Sequence, residues 1–239
     1  MNTAALLEWY ERVRRPLPWR ETRDPYALLV SEVMLQQTQA ARVIPYYEAF
    51  LARFPDPPAL AAGPTGEVLA AWSGLGYNRR AVALQRAAAH VAAHGWPEDL
   101  TELPGVGRYT ADAVACFALG RPVLPVDVNV HRVQERTEAA FDHACAQALM
   151  DLGATICIAR VPRCGQCPLA NLCPSRGKRF KPLRRQAPFE GSFRQRRAQA
   201  LRLIAEAPRT LAEVDLQAVE SLLRDELVLV EGELVRLPS

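Results

Sequence analysis

Residues 103–114 read Leu103-Pro104-Gly105-Val106-Gly107-Arg108-Tyr109-Thr110-Ala111-Asp112-Ala113-Val114, and the reading of this stretch decides the fold. Apolar residues on either side recur at three- and four-residue spacing, so it joins two helices. Gly105 and Gly107 permit a tight turn that aims backbone N–H groups outward at the start of the second helix, where the helix dipole also favours an anion. Such a turn is a phosphate-holding device, although an ordinary link between two helices has the same residues. The same periodicity runs outward through 5–14 (ALLEWYERVR), 24–54 (DPYALLVSEVMLQQTQAARVIPYYEAFLARF), 65–73, 78–95, 107–120 and 127–137. No sustained period-two alternation interrupts it, so the expected class is all-α. Asp24 followed by Pro25 is a helix start, and Thr65 and Asp127 are candidate caps of the same kind.

The chain has 239 residues, 49% of them hydrophobic and 23% charged, enough for two compact units and a small appendage. Arg, Glu or Gln interrupts every apolar run before eighteen residues, which argues against a membrane span. The start of the chain, MNTAALLEWYERVRRPLPW, has no apolar leader after a basic beginning, so a cytoplasmic location is expected. The net charge is only +3, but Lys and Arg gather in 176–186 (RGKRFKPLRRQ) and 194–197 (RQRR). An anionic partner and a merely solvated linker both fit that asymmetry.

Four cysteines, Cys157, Cys164, Cys167 and Cys173, stand as C-x6-C-x2-C-x5-C. Thiolates this dense can converge on one metal centre, and the Cys164–Cys167 pair has the close bite such centres use. Zinc and an iron–sulfur cluster suit four thiolates equally on chemistry alone, and two disulfides are the remaining alternative. Cys116 and Cys145 lie in apolar helical sequence and read as small core residues.

After Cys173 the texture becomes Pro-rich and basic, reading as a linker that ends near Phe193. Two short helical patterns follow, then LVLVEGELVRL (227–237), two alternating runs about Glu231-Gly232 that read as a hairpin. Helices followed by a β-hairpin resemble a small winged-helix α+β unit.

In combination, LPGVGRYTADAV, then PVDVNVHRV (125–133), then the four cysteines, resemble the helix-hairpin-helix DNA glycosylase superfamily with an iron–sulfur cluster. Within it, PLPWRETRDPYALLVSEVMLQQTQ (16–39) and WSGLGYNRRA (72–81) look like the adenine DNA glycosylases, which remove adenine mispaired with 8-oxoguanine. The resemblance covers roughly residues 5–175 and implies a [4Fe-4S] cluster on Cys157, Cys164, Cys167 and Cys173. It implies a cluster domain from 1–20 and 110–175, a helical barrel from 21–109, a basic linker over 176–192 and the winged-helix-like unit over 193–239. The expected partner is double-stranded DNA containing a mismatch or an oxidised guanine, met by a monomer at the bacterial nucleoid with no membrane involved.

The family's substrate base must be flipped out of the duplex before chemistry can occur. By resemblance, Gln36, Gln37 and Thr38 enter the helix near the lesion, Tyr77 wedges beside the 8-oxoguanine, and the turn at Gly105 and Gly107 holds a phosphate. Breaking an N-glycosidic bond needs an acid for the departing base and a stabiliser for the cationic sugar. Glu32, inside LLVSEVML, fits the acid, because burial disfavours its charged form. Asp127 matches the stabilising carboxylate, and Asn129 assists the same site. Tyr109 stands where the bifunctional endonuclease III branch carries a lysine nucleophile, so a monofunctional enzyme is implied. Trp19, Arg20 and Gln147 match the adenine pocket.

Two departures stand out. About one helix is missing between Val133 and Asp151, which is expected to loosen the active site or expose apolar surface. The family's larger β-rich C-terminal domain is replaced by the basic linker and the winged-helix-like tail. A thymine or uracil mismatch glycosylase, toward which VDVN leans, and a catalytically weakened DNA-binding paralogue are the alternatives.

Overall fold

The computed structural model describes residues 3–180 and 188–238; residues 181–187, in the middle of the expected basic linker, lie outside the described residues. The helices are α1 (Thr3–Val13), α2 (Pro25–Leu35), α3 (Ala40–Arg53), α4 (Pro57–Ala62), α5 (Thr65–Trp72), α6 (Arg79–His94), α7 (Arg108–Phe117), α8 (Val128–Thr137), α9 (Ala146–Thr155), α10 (Phe193–Glu206) and α11 (Leu216–Arg224). A small sheet of β1 (Arg209–Thr210), β2 (Leu229–Glu231) and β3 (Leu234–Arg236) completes the architecture. No helix among the described residues is long and apolar enough to cross a membrane. The chain divides into two compact units, Met1–Leu28 with Gly107–Arg185 and Leu29–Val106 with Gln186–Ser239, so α2 contributes to both.

In the first unit, α1, α8 and α9 pack around Leu6, Trp9, Tyr10, Val130, Val133, Leu149, Leu152 and Ile156. The short connection after α8 turns at Glu138, whose φ is +52°, and then places Phe141 and Cys145 into this same core. The connection itself thus fills part of the core at these two positions. Gly153 on α9 lies against Asn129 on α8, and a Cβ added there would come within 2.6 Å of the Asn129 Cβ. Only a residue without a side chain lets these two helices approach so closely.

In the second unit, the aromatic centre is Phe50, Phe54 and Trp72, with Phe50 meeting Phe54 at 5.1 Å and Trp72 edge-on at 5.9 Å. The run 24–54, periodic throughout, does not form one helix: α2 stops at Leu35, Gln37 takes a left-handed φ of +58°, and α3 begins at Ala40. Asp24 caps α2 as expected, its carboxylate accepting from the Tyr26 and Ala27 N–H groups at 3.0 and 3.3 Å. Thr65 does not cap α5. Pro64 holds that position, and the Thr65 hydroxyl bonds Gln85 Oε1 at 3.0 Å instead. The six-residue α4, capped by Asp56 with Pro57 at its first position, is too short to have shown a period.

The tail is an α+β unit as expected. Ser192 caps α10, α10 packs on α11, and the strands run antiparallel in the order β1-β3-β2. Gly232, with φ +63°, is the first central residue of the two-residue β2–β3 turn, the position where a type II′ turn requires glycine. The added strand β1 pairs Arg209 with Val235 and Thr210 with Leu234. The tail also meets α5 and α6 within this unit, where Arg86 pairs with Glu226 and the Gly66 N–H bonds the Pro238 carbonyl at 2.9 Å.

Candidate active site and cysteine loop

In the second unit, Glu32 occupies the middle of α2, where every residue from Tyr26 to Met34 is buried, and is itself 5% exposed. A helix apolar on all sides belongs to the interior, so the fold rather than solvent positions this carboxyl group. Just beyond, Gln36, Gln37 and Thr38 form the bend to α3, with Gln37 exposed. Tyr77 is 47% exposed and also left-handed, with φ +48°. A non-glycine residue in that region costs roughly 1–2 kcal/mol, so both positions must be held by their surroundings. Gly74, in the turn before Tyr77, has a φ of +107° that favours glycine, a Cβ there would displace the Tyr46 hydroxyl, and its carbonyl accepts from Arg42. Gly105 needs its residue type on two counts, a φ of +76° and a Cβ that would lie 2.6 Å from the Ala83 Cβ.

In the first unit, Gly107 caps α7 with an ordinary negative φ and open space beside it. Its lack of a side chain leaves room for a ligand to approach the first N–H groups of α7, which have no partner within the helix. Tyr109, half-buried, follows in the first turn.

Asp127 is the N-cap of α8. Its Oδ1 accepts from the N–H groups of Asn129 and Val130 at 2.9 and 2.7 Å, and its Oδ2 accepts from Asn129 Nδ2 at 2.7 Å. Asn129 is fixed in turn, because Arg132 Nη2 donates to its Oδ1 at 2.6 Å while Arg132 Nε donates to the Cys157 carbonyl at 2.7 Å. An unbroken set of hydrogen bonds therefore runs from the Asp127 carboxylate to the first cysteine of the loop. Arg20 is engaged in a two-pronged pair with Asp151, both bonds at 2.8 Å, and Arg15 Nε adds a third at 2.6 Å. Burial works to raise the Asp151 carboxyl, but the hydrogen bonds and charges of Arg20 and Arg15 outweigh it and hold the group below the usual carboxylate range. Trp19 is 5% exposed beside Arg20. Gln147 accepts from the Tyr10 hydroxyl at 2.6 Å.

All six cysteines are free thiols, which removes the disulfide reading. Cys157, Cys164, Cys167 and Cys173 line one recess together with Val133, Leu152, Ile156 and Pro162. No three His, Cys, Asp or Glu side chains among the described residues are grouped as a single ion would require. Four thiols lining one recess give a metal group four ligands of one kind. Burial, with smaller contributions from the neighbouring cysteines, pushes the Cys167 thiol up to about 11, so the thiolate there needs a metal to compensate it. Arg136, 5% exposed, braces the loop: it donates to the Ile158 and Ala159 carbonyls at 2.8 and 2.6 Å, approaches Cys157 Sγ at 3.5 Å and lies 3.6 Å from the centre of the Phe180 ring. The Gly177 N–H donates to Cys164 Sγ at 3.3 Å.

Residues 30–152 match the model of the HhH-GPD superfamily base excision DNA repair proteins, and residues 157–173 match the iron-sulfur binding domain of endonuclease III. The adenine DNA glycosylase of Mycobacterium tuberculosis is 43% identical over 93% of this chain and 88% of its own length. The chain belongs to the adenine DNA glycosylases of the HhH-GPD superfamily. Its four-cysteine loop carries the [4Fe-4S] cluster of that family, which when bound ties together four points of the loop. Among solved structures, a thermostable thymine-DNA glycosylase superposes with a TM-score of 0.66 at 29% identity, covering 72% of this chain and 93% of that one. A non-covalent endonuclease III–DNA complex gives 0.62 at 25% identity, covering 72% and 92%. Against this family background, the sequence reading overlooked Arg80, Arg132, Arg136 and Asp151. Arg132 and Arg136 carried a signal in their four-residue spacing on one face of α8, and Asp151 carried one as a lone carboxylate within ALMDLGA. Arg80 had none, being the second of two adjacent arginines at the start of a helix.

Proposed function

We propose that the protein is a monofunctional DNA glycosylase, acting as a monomer on double-stranded DNA at the bacterial nucleoid, that hydrolyses the N-glycosidic bond of adenine mispaired with 8-oxoguanine or guanine. The observation that carries the reading is Glu32, a carboxyl group held at 5% exposure in the centre of an interior helix. A buried titratable group of this kind is where a general acid is expected. Glu32 donates its proton to adenine N7 as the C1′–N9 bond breaks, and the bonding electron pair leaves with the base as neutral adenine. The sugar is left as an oxocarbenium-like cation. The Asp127 carboxylate, oriented by its cap bonds and by Asn129, stabilises it: at about 4 Å and an effective dielectric near 20 the attraction is about 4 kcal/mol, on the order of a thousandfold in rate. Water adds at C1′ to leave an abasic site, and the proton it gives up returns to the Glu32 carboxylate. Tyr109 offers a phenol where an attacking amine would be needed for a Schiff base, so the strand stays intact. Gln36, Gln37, Thr38 and Tyr77 enter the duplex, the Gly105–Gly107 turn holds a phosphate, and Trp19, Arg20 and Gln147 support the adenine pocket.

Single-turnover assays on duplexes holding A opposite 8-oxoguanine, A opposite G, and T opposite G test this reading. Adenine release from the first two without strand cleavage is expected. Release of thymine alone, or binding without release of any base, would overturn it.

A further inference from the structure

We infer that Arg80 is a positioning residue for base extrusion, a single guanidinium that locks the Gln36–Thr38 bend and the Tyr77 turn into one rigid wedge. The inference rests on the function proposed above. Arg80 Nη1 donates to the carbonyls of Val33, Met34 and Gln36 at 2.6, 3.1 and 2.7 Å. From another edge of the same planar group, Nη2 donates to the Gly76 carbonyl at 2.9 Å and Nε to the Tyr77 carbonyl at 3.3 Å. The two groups of acceptors lie about forty residues apart in the chain, and each belongs to a segment with an exposed, left-handed residue, Gln37 in one and Tyr77 in the other.

Three features mark this arrangement as a positioning device. The α2 carbonyls are those that a helix end leaves without partners, at the negative pole of its dipole, so a cation there completes α2 and fixes where the bend departs. The guanidinium also lies 5.4 Å from the Trp72 ring centre and 5.6 Å from that of Tyr77, so it contacts the exposed ring itself as well as the backbone beneath it. All of its hydrogen bonds go to backbone carbonyls, and it forms no ion pair among the described residues. Burial lowers its pKa to about 10, which still leaves it charged at neutral pH. Pushing residues into a stacked duplex loads both segments against DNA, and a wedge whose two halves can move independently yields before the base does. Lysine cannot replace the fork, since its three donors radiate from one nitrogen and cannot span acceptors along two edges of a planar group.

The test compares the cluster-loaded wild type with Arg80→Lys and Arg80→Gln. Extrusion is read as the fluorescence rise of 2-aminopurine placed opposite 8-oxoguanine, and chemistry as single-turnover release from A opposite 8-oxoguanine and from A opposite an abasic site, where the base is already poorly stacked. Melting temperature, visible absorbance and binding to undamaged duplex report folding. For Arg80→Lys we expect intact folding and unchanged binding to undamaged duplex. The fluorescence rise should be lost, and release from the 8-oxoguanine duplex should slow on the order of a hundredfold, with most of that deficit recovered on the poorly stacked duplex. Equal deficits on both duplexes, a full fluorescence rise, or failure of both variants to fold would overturn the inference, the last by showing a strut of the fold only. If the wild type extrudes 2-aminopurine but releases no adenine, the proposed function fails while the Arg80 comparison still stands.

Discussion

Replacing Asp151 by Asn tests how much of the first unit depends on one buried charge. Its side chain is 1% exposed and that of Arg20 is 9% exposed, so the pair sits out of water, with Arg15 as a half-exposed third partner. Asp151→Asn keeps the shape but leaves the Arg20 guanidinium without its counter-charge. Breaking a buried pair from one side costs about 3–5 kcal/mol. For a chain of this size each kcal/mol moves the melting temperature by about 2–4 °C, so a fall of roughly 6 to 20 °C is expected. The double variant Arg20→Met with Asp151→Leu removes both charges and should recover most of it. Because the folded-state pKa of Asp151 is depressed, its contribution is fully present above the unfolded value of about 4 and is lost as pH falls through the folded value. The gap between wild type and Asp151→Asn should therefore be constant above about pH 5 and close on acidification. Melting curves followed by far-ultraviolet circular dichroism across pH give both numbers. A fall under 2 °C at pH 7, or a gap that widens in acid, would refute the reasoning.

Asp127→Asn should cut single-turnover release on the order of a thousandfold while leaving stability within about 1 kcal/mol, since Asn caps helices as well as Asp does. Asp127→Ala should lose the cap too, lowering stability by a further 0.5–2 kcal/mol or so in denaturant titration. Gly153→Ala must push Asn129 aside, so a loss of about 1–3 kcal/mol together with slower base release is expected. A stable variant with full activity would show that α8 and α9 shift apart at no cost. Cys167→Ser should abolish the visible absorbance and lower the melting temperature of the first unit; loss of absorbance with an unchanged melt would mean that the loop folds without its metal.

The parts of this molecule that were legible in its sequence are those set by local chemistry. The Asp24-Pro25 start, the Gly105 turn, the Gly232 hairpin and the cysteine spacing each depend on residues within a few positions of one another. The break at Gln37 escaped because its neighbours keep helical periodicity on both sides, and a left-handed residue held by Arg80 leaves no mark in the pattern. β1 escaped because two residues carry no alternation. Asp127 was placed at a helix start from its sequence, but the chain of contacts through Asn129 and Arg132 to Cys157 joins residues up to twenty-five positions apart. The same holds for Arg20 and Asp151, 131 positions apart. Such pairs become visible only once packing brings their helices together.

The first unit is discontinuous, and this has a consequence for its synthesis. Tyr10 on α1 meets Gln147 on α9, 137 positions later. At a translation rate of about 5–20 residues per second, α1 waits roughly 7 to 27 s for the helices that cover it. Throughout that interval Leu6, Trp9 and Tyr10 are an uncovered apolar face on a nascent chain. Slow contacts of this range favour aggregation over closure. Soluble yield should therefore depend on chaperone supply and growth temperature, and a circular permutant that opens at the second unit, so that α1 is made after α8 and α9, should fold with less assistance.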